Sequence, residues 1–329
     1  MNASVNRLLA RHVRELPPAA ALVAILLAMM VAAPSFFSGG NLRDLALNNT
    51  AVLIVALGMT LVILTGEIDI SVGSQFAVCS VAAGVLAKVG VPMPVVPVLV
   101  LILGLAMGAL NGLLVGVLRL PSIIVTLAMM VTWRDALRWM TDGAWVQDLP
   151  ADFQWFGLAP GTAQFIIVSL GVILAVIIGW SLRNLTMGRR IYAVGADEEA
   201  ARLAGIDPRV VTFGVFAVTG MLVGLGAVLN AARFSTVPSN AGTGYELQAI
   251  AAVVVGGTAI TGGRGTIMGT VIGAVLLGVI STALTYVGIG PFWVKAIQGL
   301  IILAALGGDA AFTRLAKRGT SPVRLVVTQ

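Results

Sequence analysis

Residues 183–209 read RNLTMGRRIYAVGADEEAARLAGIDPR. Five arginines (Arg183, Arg189, Arg190, Arg202, Arg209) and four acids (Asp197, Glu198, Glu199, Asp207) crowd this interval, in a chain whose charged residues make up only 10%. On both sides stand apolar blocks close to the ~20 residues that one helical membrane crossing requires. The interval therefore reads as a solvated surface between two lipid-embedded halves.

Working outward, the composition agrees. The 329 residues are 58% hydrophobic, with a mean hydropathy of +1.01. A soluble domain sits near ~45–50% apolar and ~25% charged. A large soluble core could not absorb this excess, so lipid is the solvent for most of the chain. The net charge of +6 does not signal nucleic acid, because the basic residues gather at the ends of apolar blocks. The single cysteine, Cys79, and single histidine, His12, exclude a disulfide framework and a Cys/His metal motif.

Ten blocks fit as spans: 16–37, 45–64, 70–89, 94–118, 122–140, 162–182, 210–230, 247–262, 266–288 and 291–308. The first follows Arg7, Arg11 and Arg14 and is too long for a cleaved signal, so it reads as a retained helix. With the N-terminus inside, 14 of the 20 Lys and Arg fall on inner segments. The expectation is an all-α polytopic membrane bundle of about ten helices with both termini cytoplasmic. It has a tail at 1–15, a transmembrane domain at 16–308 that includes the charged loop 183–209, and a basic tail at 309–329. Counts of eight or nine stay open, since 122–140 and 247–262 are weak blocks. In 122–140, Arg134, Asp135 and Arg138 suggest an i,i+4 pair or an interface anchor.

Gly104, Gly108, Gly112 and Gly116 recur every four residues, and Gly220 and Gly224 repeat the pattern, so both helices carry a flat stripe for close packing. Two stretches read as broken helices, Thr65 to Ser74 and Gly256 to Thr266. In the first, Gly66 ends a helix and Asp69 or Ser71 caps the next. Their glycines and threonines align as a two-fold internal repeat would leave them: Gly58 and Thr60 with Gly256 and Thr258, Thr65 and Gly66 with Thr261 and Gly262. Neither stretch is a nucleotide-binding motif, since no G-x-x-x-x-G-K-[ST] occurs in the chain. The loop at 141–161 carries Asp142, Asp148 and Asp152 with Trp145, Trp155 and Phe156 among its aromatics, without a basic residue; it reads either as an interfacial aromatic belt or as a docking surface.

Within the opening interval, Asp197 is placed to cap a short helix from Glu198 to Ala204, Gly205 to end it, and Asp207-Pro208 to stop continuation. Ala200, Ala201, Leu203 and Ala204 give that helix a small apolar surface. It reads either as a solvated connector or as a surface that fits a partner's groove.

Glu199-Ala200-Ala201-x-x-x-Gly205 resembles the EAA-x-x-x-G element of binding-protein-dependent ABC importer permeases, although the usual downstream I-x-L-P is absent. Thr65 to Gly73, Pro121 to Leu127, Gly188 to Gly195 and Ala251 to Thr258 together resemble the permeases of the ribose, galactose, xylose, rhamnose and autoinducer-2 importers. Glu67 departs from that pattern, where glycine is usual. The resemblance implies a bacterial inner-membrane permease that translocates a monosaccharide or related solute by alternating access. Its expected partners are cytoplasmic ATPase subunits, a second permease copy or sister chain, a periplasmic sugar-binding protein and the lipid bilayer. It implies no catalysis or cofactor in this chain, ATP and magnesium belonging to the ATPase. Glu198, Glu199, Ala200, Ala201, Leu203 and Gly205 are the expected coupling residues, and Asp69, Ser71, Asn111 and Thr126 the candidate pathway residues. The competing expectation is an ion-coupled secondary transporter, which would draw on Glu67 and Asp69.

Overall fold

The computed structural model describes residues 15–290 and, beyond them, Trp293, Ala296, Ile297, Gly299, Leu300 and Leu303. The tails and most of the 291–308 block lie outside the described residues. Among those described, the regular structure is helical, apart from one isolated antiparallel bridge between Val146 and Val237.

The helices are α1 (Leu16–Ala32), α2 (Gly39–Leu64), α3 (Val72–Lys88), α4 (Val95–Gly112), α5 (Ser122–Thr141), α6 (Pro160–Asn184), α7 (Thr186–Ala196), α8 (Glu198–Leu203), α9 (Pro208–Ala231), α10 (Tyr245–Val255) and α11 (Ile267–Tyr286). A π turn at Leu113–Val117 extends α4. Five of these helices, α2, α4 with its π turn, α6, α9 and α11, are long and apolar enough to cross a membrane, and α1, α3 and α10 are shorter apolar helices. The charged triplet of α5 resolves simply. Arg138 pairs with Asp135 one turn back at 3.2 Å, while Arg134 donates to Thr243 Oγ1 at 2.8 Å.

The centre of the bundle is α2, whose spanning window is 83% buried. Beside it, α4 and α9 approach each other as bare backbones. The α4 and α9 glycine stripes face one another: a Cβ on Gly108 would lie 2.9 Å from Gly220 Cα, and one on Gly224 would lie 2.8 Å from the Val100 carbonyl oxygen. Without a hydrophobic drive between helices in lipid, such contact is what dispersion needs. Gly220→Leu should therefore lower the detergent melting temperature sharply, by an amount equivalent to about 3 kcal/mol or more, the upper range of overpacking. Gly226→Ala is the control, since its Cβ meets the Ala51 carbonyl oxygen at an easier 3.4 Å.

The two ends of the bundle separate by their loops. At one end, here the charged end, Arg119 pairs with Glu198 at 3.3 Å and Gly263 N–H donates to the Leu64 carbonyl at 3.0 Å. At the far end, Lys88 pairs with Asp148 at 3.6 Å and Trp155 N–H donates to the Ala232 carbonyl at 2.6 Å. The 141–161 loop is thus tied to the segment after α9, with Phe153 fully buried and Trp145 54% exposed.

The 247–262 block is shorter as a helix than expected. Val237 sits beside Gly84 near the far end of α3, whereas Gly242 packs on Gly73 near its start. Those α3 positions are eleven residues apart, about 16 Å of helix. The 232–244 segment therefore descends into the bundle before α10 begins, and α10 needs to cover only the remaining depth. Gly244, at φ 88°, makes the turn into it.

Candidate functional site

The charged end is built from α7 and α8. The sequence reading placed one short helix in 183–209, and the structure has two. The additional helix, α7, is amphipathic: Gly188, Ile191 and Val194 are buried at three-residue spacing, while Arg189 and Arg190 are exposed. Gly188 makes the corner from α6, because any Cβ there would meet the Leu182 carbonyl.

Helix α8 follows as expected from its cap residues. Asp197 Oδ1 accepts the Ala200 N–H at 2.9 Å. Gly205 adopts φ 81°, and Ile206 N–H donates back to the Ala201 carbonyl at 3.0 Å, which closes a Schellman turn. Asp207 then caps α9, accepting the Arg209 N–H at 2.9 Å, so the residue that stops one helix starts the next.

The expected coupling residues divide by direction. Ala201 is only 4% exposed and anchors α8 to the body. Glu198 is held by Arg119, a residue in the left-handed region at φ 56° at the corner between α4 and α5. Glu199 pairs with Arg202 at 2.6 Å, and that hydrogen bond holds the Arg202 guanidinium above its usual range. Ala200 is exposed, and Leu203 is 81% exposed on the same face. A leucine this bare on a highly charged loop is the anomaly of this surface.

Immediately behind α8, three backbones converge. A Cβ on Gly195, at the end of α7, would collide with the Leu64 carbonyl oxygen and lie 2.7 Å from Gly263 N. A Cβ on Gly262 would lie 2.8 Å from Gly66 N and 2.7 Å from the Gly195 carbonyl oxygen. Thus both broken stretches touch one another, and α7 touches both at once. Thr60 and Thr270 add a 2.7 Å hydroxyl contact across the same pair of elements. Gly66 ends α2 in the left-handed region at φ 86°, as expected.

The polar cluster lies where α3 restarts. Asp69, Ser71, Gln75 and Asn111 are all fully buried. Asp69 Oδ1 accepts from Ser71 N–H at 2.9 Å and Ser71 Oγ at 2.5 Å, and Oδ2 accepts from Gln75 Nε2 at 3.2 Å and Asn111 Nδ2 at 3.3 Å. Of the two residues expected to cap α3, Ser71 gives no side-chain cap, while Asp69 accepts the N–H of Ser71 just ahead of the helix; Ser71 Oγ accepts from Asn111 Nδ2 and Gln75 Nε2, each at 2.8 Å. Thr126 lies beside this cluster rather than in it: its Oγ1 donates to the Ser122 carbonyl at 2.8 Å and reaches the Ile68 carbonyl, one residue from Asp69, at 3.4 Å. Three of the four expected pathway residues therefore form one knot that fastens the break of α2–α3 to α4. Sequence reading missed Gln75, whose amide joins the knot only through the fold, and Glu246. The latter lies beside Gly73 at the N-terminus of α10, with Oε1 accepting Gly244 N–H at 3.2 Å and Oε2 buried without a partner. Asp69→Ala should take the acceptor from the Ser71 hydroxyl and from one amide hydrogen each of Asn111 and Gln75, which keep only their bonds to Ser71 Oγ, each lost partner costing about 1–3 kcal/mol. The melting temperature in detergent reads this directly, and Asp69→Asn should lose less.

Towards the far end, a cavity of about 230 Å³ opens between the two far-end segments, lined among others by Ser80, Trp145, Asn230, Phe234 and Thr236, and floored by Gly242. Its lining holds aromatic rings, hydroxyls and an amide but no charged side chain. Among the described residues, no three His, Cys, Asp or Glu side chains gather where a metal ion could sit.

Comparison with known proteins places these features in context. Residues 41–306 match the family described as branched-chain amino acid transport system / permease component. The chain is 36% identical to the ribose import permease protein RbsC of Escherichia coli (strain K12) over 293 residues, 87% of this chain and 90% of that protein. It is 34% identical to the autoinducer 2 import system permease protein LsrC of Enterobacter sp. (strain 638) over 296 residues, 89% and 85% of the two chains. No solved structure matches.

Proposed function

The chain belongs to the branched-chain amino acid transport system permease family, and from that membership we propose that it is the membrane permease of an ABC importer that moves a monosaccharide or similar neutral, polar solute across the bacterial inner membrane. The observation that carries this reading is the bare Leu203 on α8, a helix whose parent segment packs on both broken stretches. An ATPase groove receiving Ala200 and Leu203 would cover an apolar face of α8 that the described residues leave open. Glu198 and Glu199, already paired within the chain, hold the shape of α8, and Gly205 sets its end.

The transport step follows from the junction. When the ATPase subunits close on ATP, α8 moves with them, and α7 carries the motion to Gly195. Leu64 and Gly263 meet at that glycine, so the α2–α3 and α10–α11 breaks shift together. The bundle then exchanges an opening at one face for an opening at the other. Coupling of this kind needs α8 to contact the ATPase states differently. The arrangement also suits a two-fold repeat, in which helix–break–helix units meet at the charged end.

The family's description names amino acids, whereas the relatives import ribose and autoinducer 2. The far-end cavity favours the relatives. A zwitterion would leave its charges unpaired among Trp145, Phe234, Asn230 and Ser80, whereas hydroxyls find an amide and hydroxyl partners and an apolar sugar face finds rings. A periplasmic binding protein delivering the solute would dock on the 141–161 and 232–244 segments around this cavity. About ten spans with both termini cytoplasmic, in a pair with a second copy or sister chain, complete the picture.

The test is affinity purification from the producing cells in mild detergent, with mass spectrometry of what stays bound. A stoichiometric Walker-motif ATPase supports the reading. A chain that purifies without one and moves solute down an ion gradient in vesicles would replace it with a secondary transporter.

A further inference from the structure

A second cavity, of about 460 Å³, is lined by α6, α2, α7 and α11, along the sparsely covered face of α6. It stands apart from the proposed solute path. Its walls along the membrane are apolar: Val172 and Val176 of α6 are 55% and 64% exposed, and Ile267 of α11 closes on Gly179 at 3.5 Å from its added Cβ position. The groove follows α6, whose spanning window is only 22% buried, the lowest among the five long spans.

Its charged-end rim has a different chemistry. Arg183 is exposed and makes no ion pair among the described residues. Asn184 donates one amide hydrogen to the Trp180 carbonyl at 2.8 Å and keeps a second. Tyr192 Oη donates to the Gly265 carbonyl at 2.8 Å and keeps its lone pairs. The Glu15 carboxylate accepts a hydrogen bond from Thr266 at the rim, so Thr266 is already engaged there. Trp180, 58% exposed one turn before Arg183, is placed as an interfacial anchor.

An apolar trough with an unpaired guanidinium at the headgroup level has the chemistry of a phospholipid site. We infer that this groove holds an anionic phospholipid of the leaflet at the charged end, with an acyl chain along Val172 and Val176 and the phosphate on Arg183. The bound lipid would touch α6, α7 and α11 together, and through Tyr192 it would bear on the helix that carries α8.

Native mass spectrometry of the full chain tests this. The protein is released from nanodiscs of equal phosphatidylglycerol and phosphatidylcholine with matched chains, and retained lipids are counted. Wild type should retain phosphatidylglycerol preferentially. Arg183→Gln should lower that retention about fivefold. Val176→Trp, which fills the trough, should displace lipid while Arg183 remains. Arg190→Gln removes an exposed charge outside the groove and should change nothing. Equal retention of the two lipids by wild type, or an equal loss in Arg183→Gln and Arg190→Gln, would overturn the site in favour of diffuse surface charge. Dissociation of a permease pair by Val176→Trp would overturn it in favour of a second copy as occupant. None of these readouts requires ATP, an ATPase or a solute, so they stand apart from the transport reading.

Discussion

Leu203→Glu strips the ATPase from the purified complex while the permease remains inserted and folded. Leu203 is 81% exposed, so the substitution disturbs no internal packing. Surface changes of this kind alter folding stability by no more than about 0.5 kcal/mol. At a desolvated interface the same change buries an unpaired carboxylate. Loss of a central anchor costs about 2 kcal/mol or more, roughly thirtyfold in affinity. Glu198 and Glu199 add like charge nearby, which deepens the loss. Leu203→Met keeps the apolar volume and should retain the ATPase. Co-purification ratio and detergent melting temperature, measured together, separate lost docking from lost folding. Full ATPase retention by Leu203→Glu would remove α8 as the docking element.

The second large effect is expected at Gly195. Gly195→Val pushes a branched side chain onto the Leu64 carbonyl and Gly263 N–H, which bond each other directly. The end of α7 must back away, and the contact that ties α8 to both breaks is lost. The ATPase should still bind, since Leu203 lies beyond the junction, and it should still hydrolyse ATP. Uptake should fall to background, so the variant hydrolyses without transporting. Gly214→Ala is the matched control, because its Cβ meets only Met187 Cε, at 3.6 Å. Wild-type uptake by Gly195→Val would show that motion reaches the spans by another route.

Legibility in the sequence followed the range of the interactions. The α8 cap, its Gly205 stop and the left-handed Gly66 are set by neighbours within a few residues, so Asp197, Gly205 and Gly66 could be read directly. The glycine stripes were legible because four-residue spacing puts them on one face, although only the fold shows that they face each other. The α7 helix was missed: charged Arg189 and Arg190 masked the three-residue spacing of Gly188, Ile191 and Val194. The weakness of the 247–262 block and the break from Gly256 were legible, but the reason for the short α10 was not, because hydropathy does not record depth; the descent of 232–244 depends on Val146, Gly73 and Phe76, far away in the chain. For the same reason Asp69, Ser71 and Asn111 could be singled out as polar groups near spans, while the knot they form with Gln75 could not. The junction of Leu64, Gly195 and Gly263 joins three distant segments and left no local mark beyond its glycines.

The most direct measurement of the central claim is solute uptake into proteoliposomes holding this chain, its ATPase and the binding protein, with each component and ATP omitted in turn and a proton ionophore added in parallel. Uptake that needs ATP, the ATPase and the binding protein, and that ignores the ionophore, is the expected result. Uptake that persists without ATP and collapses with the ionophore would contradict it.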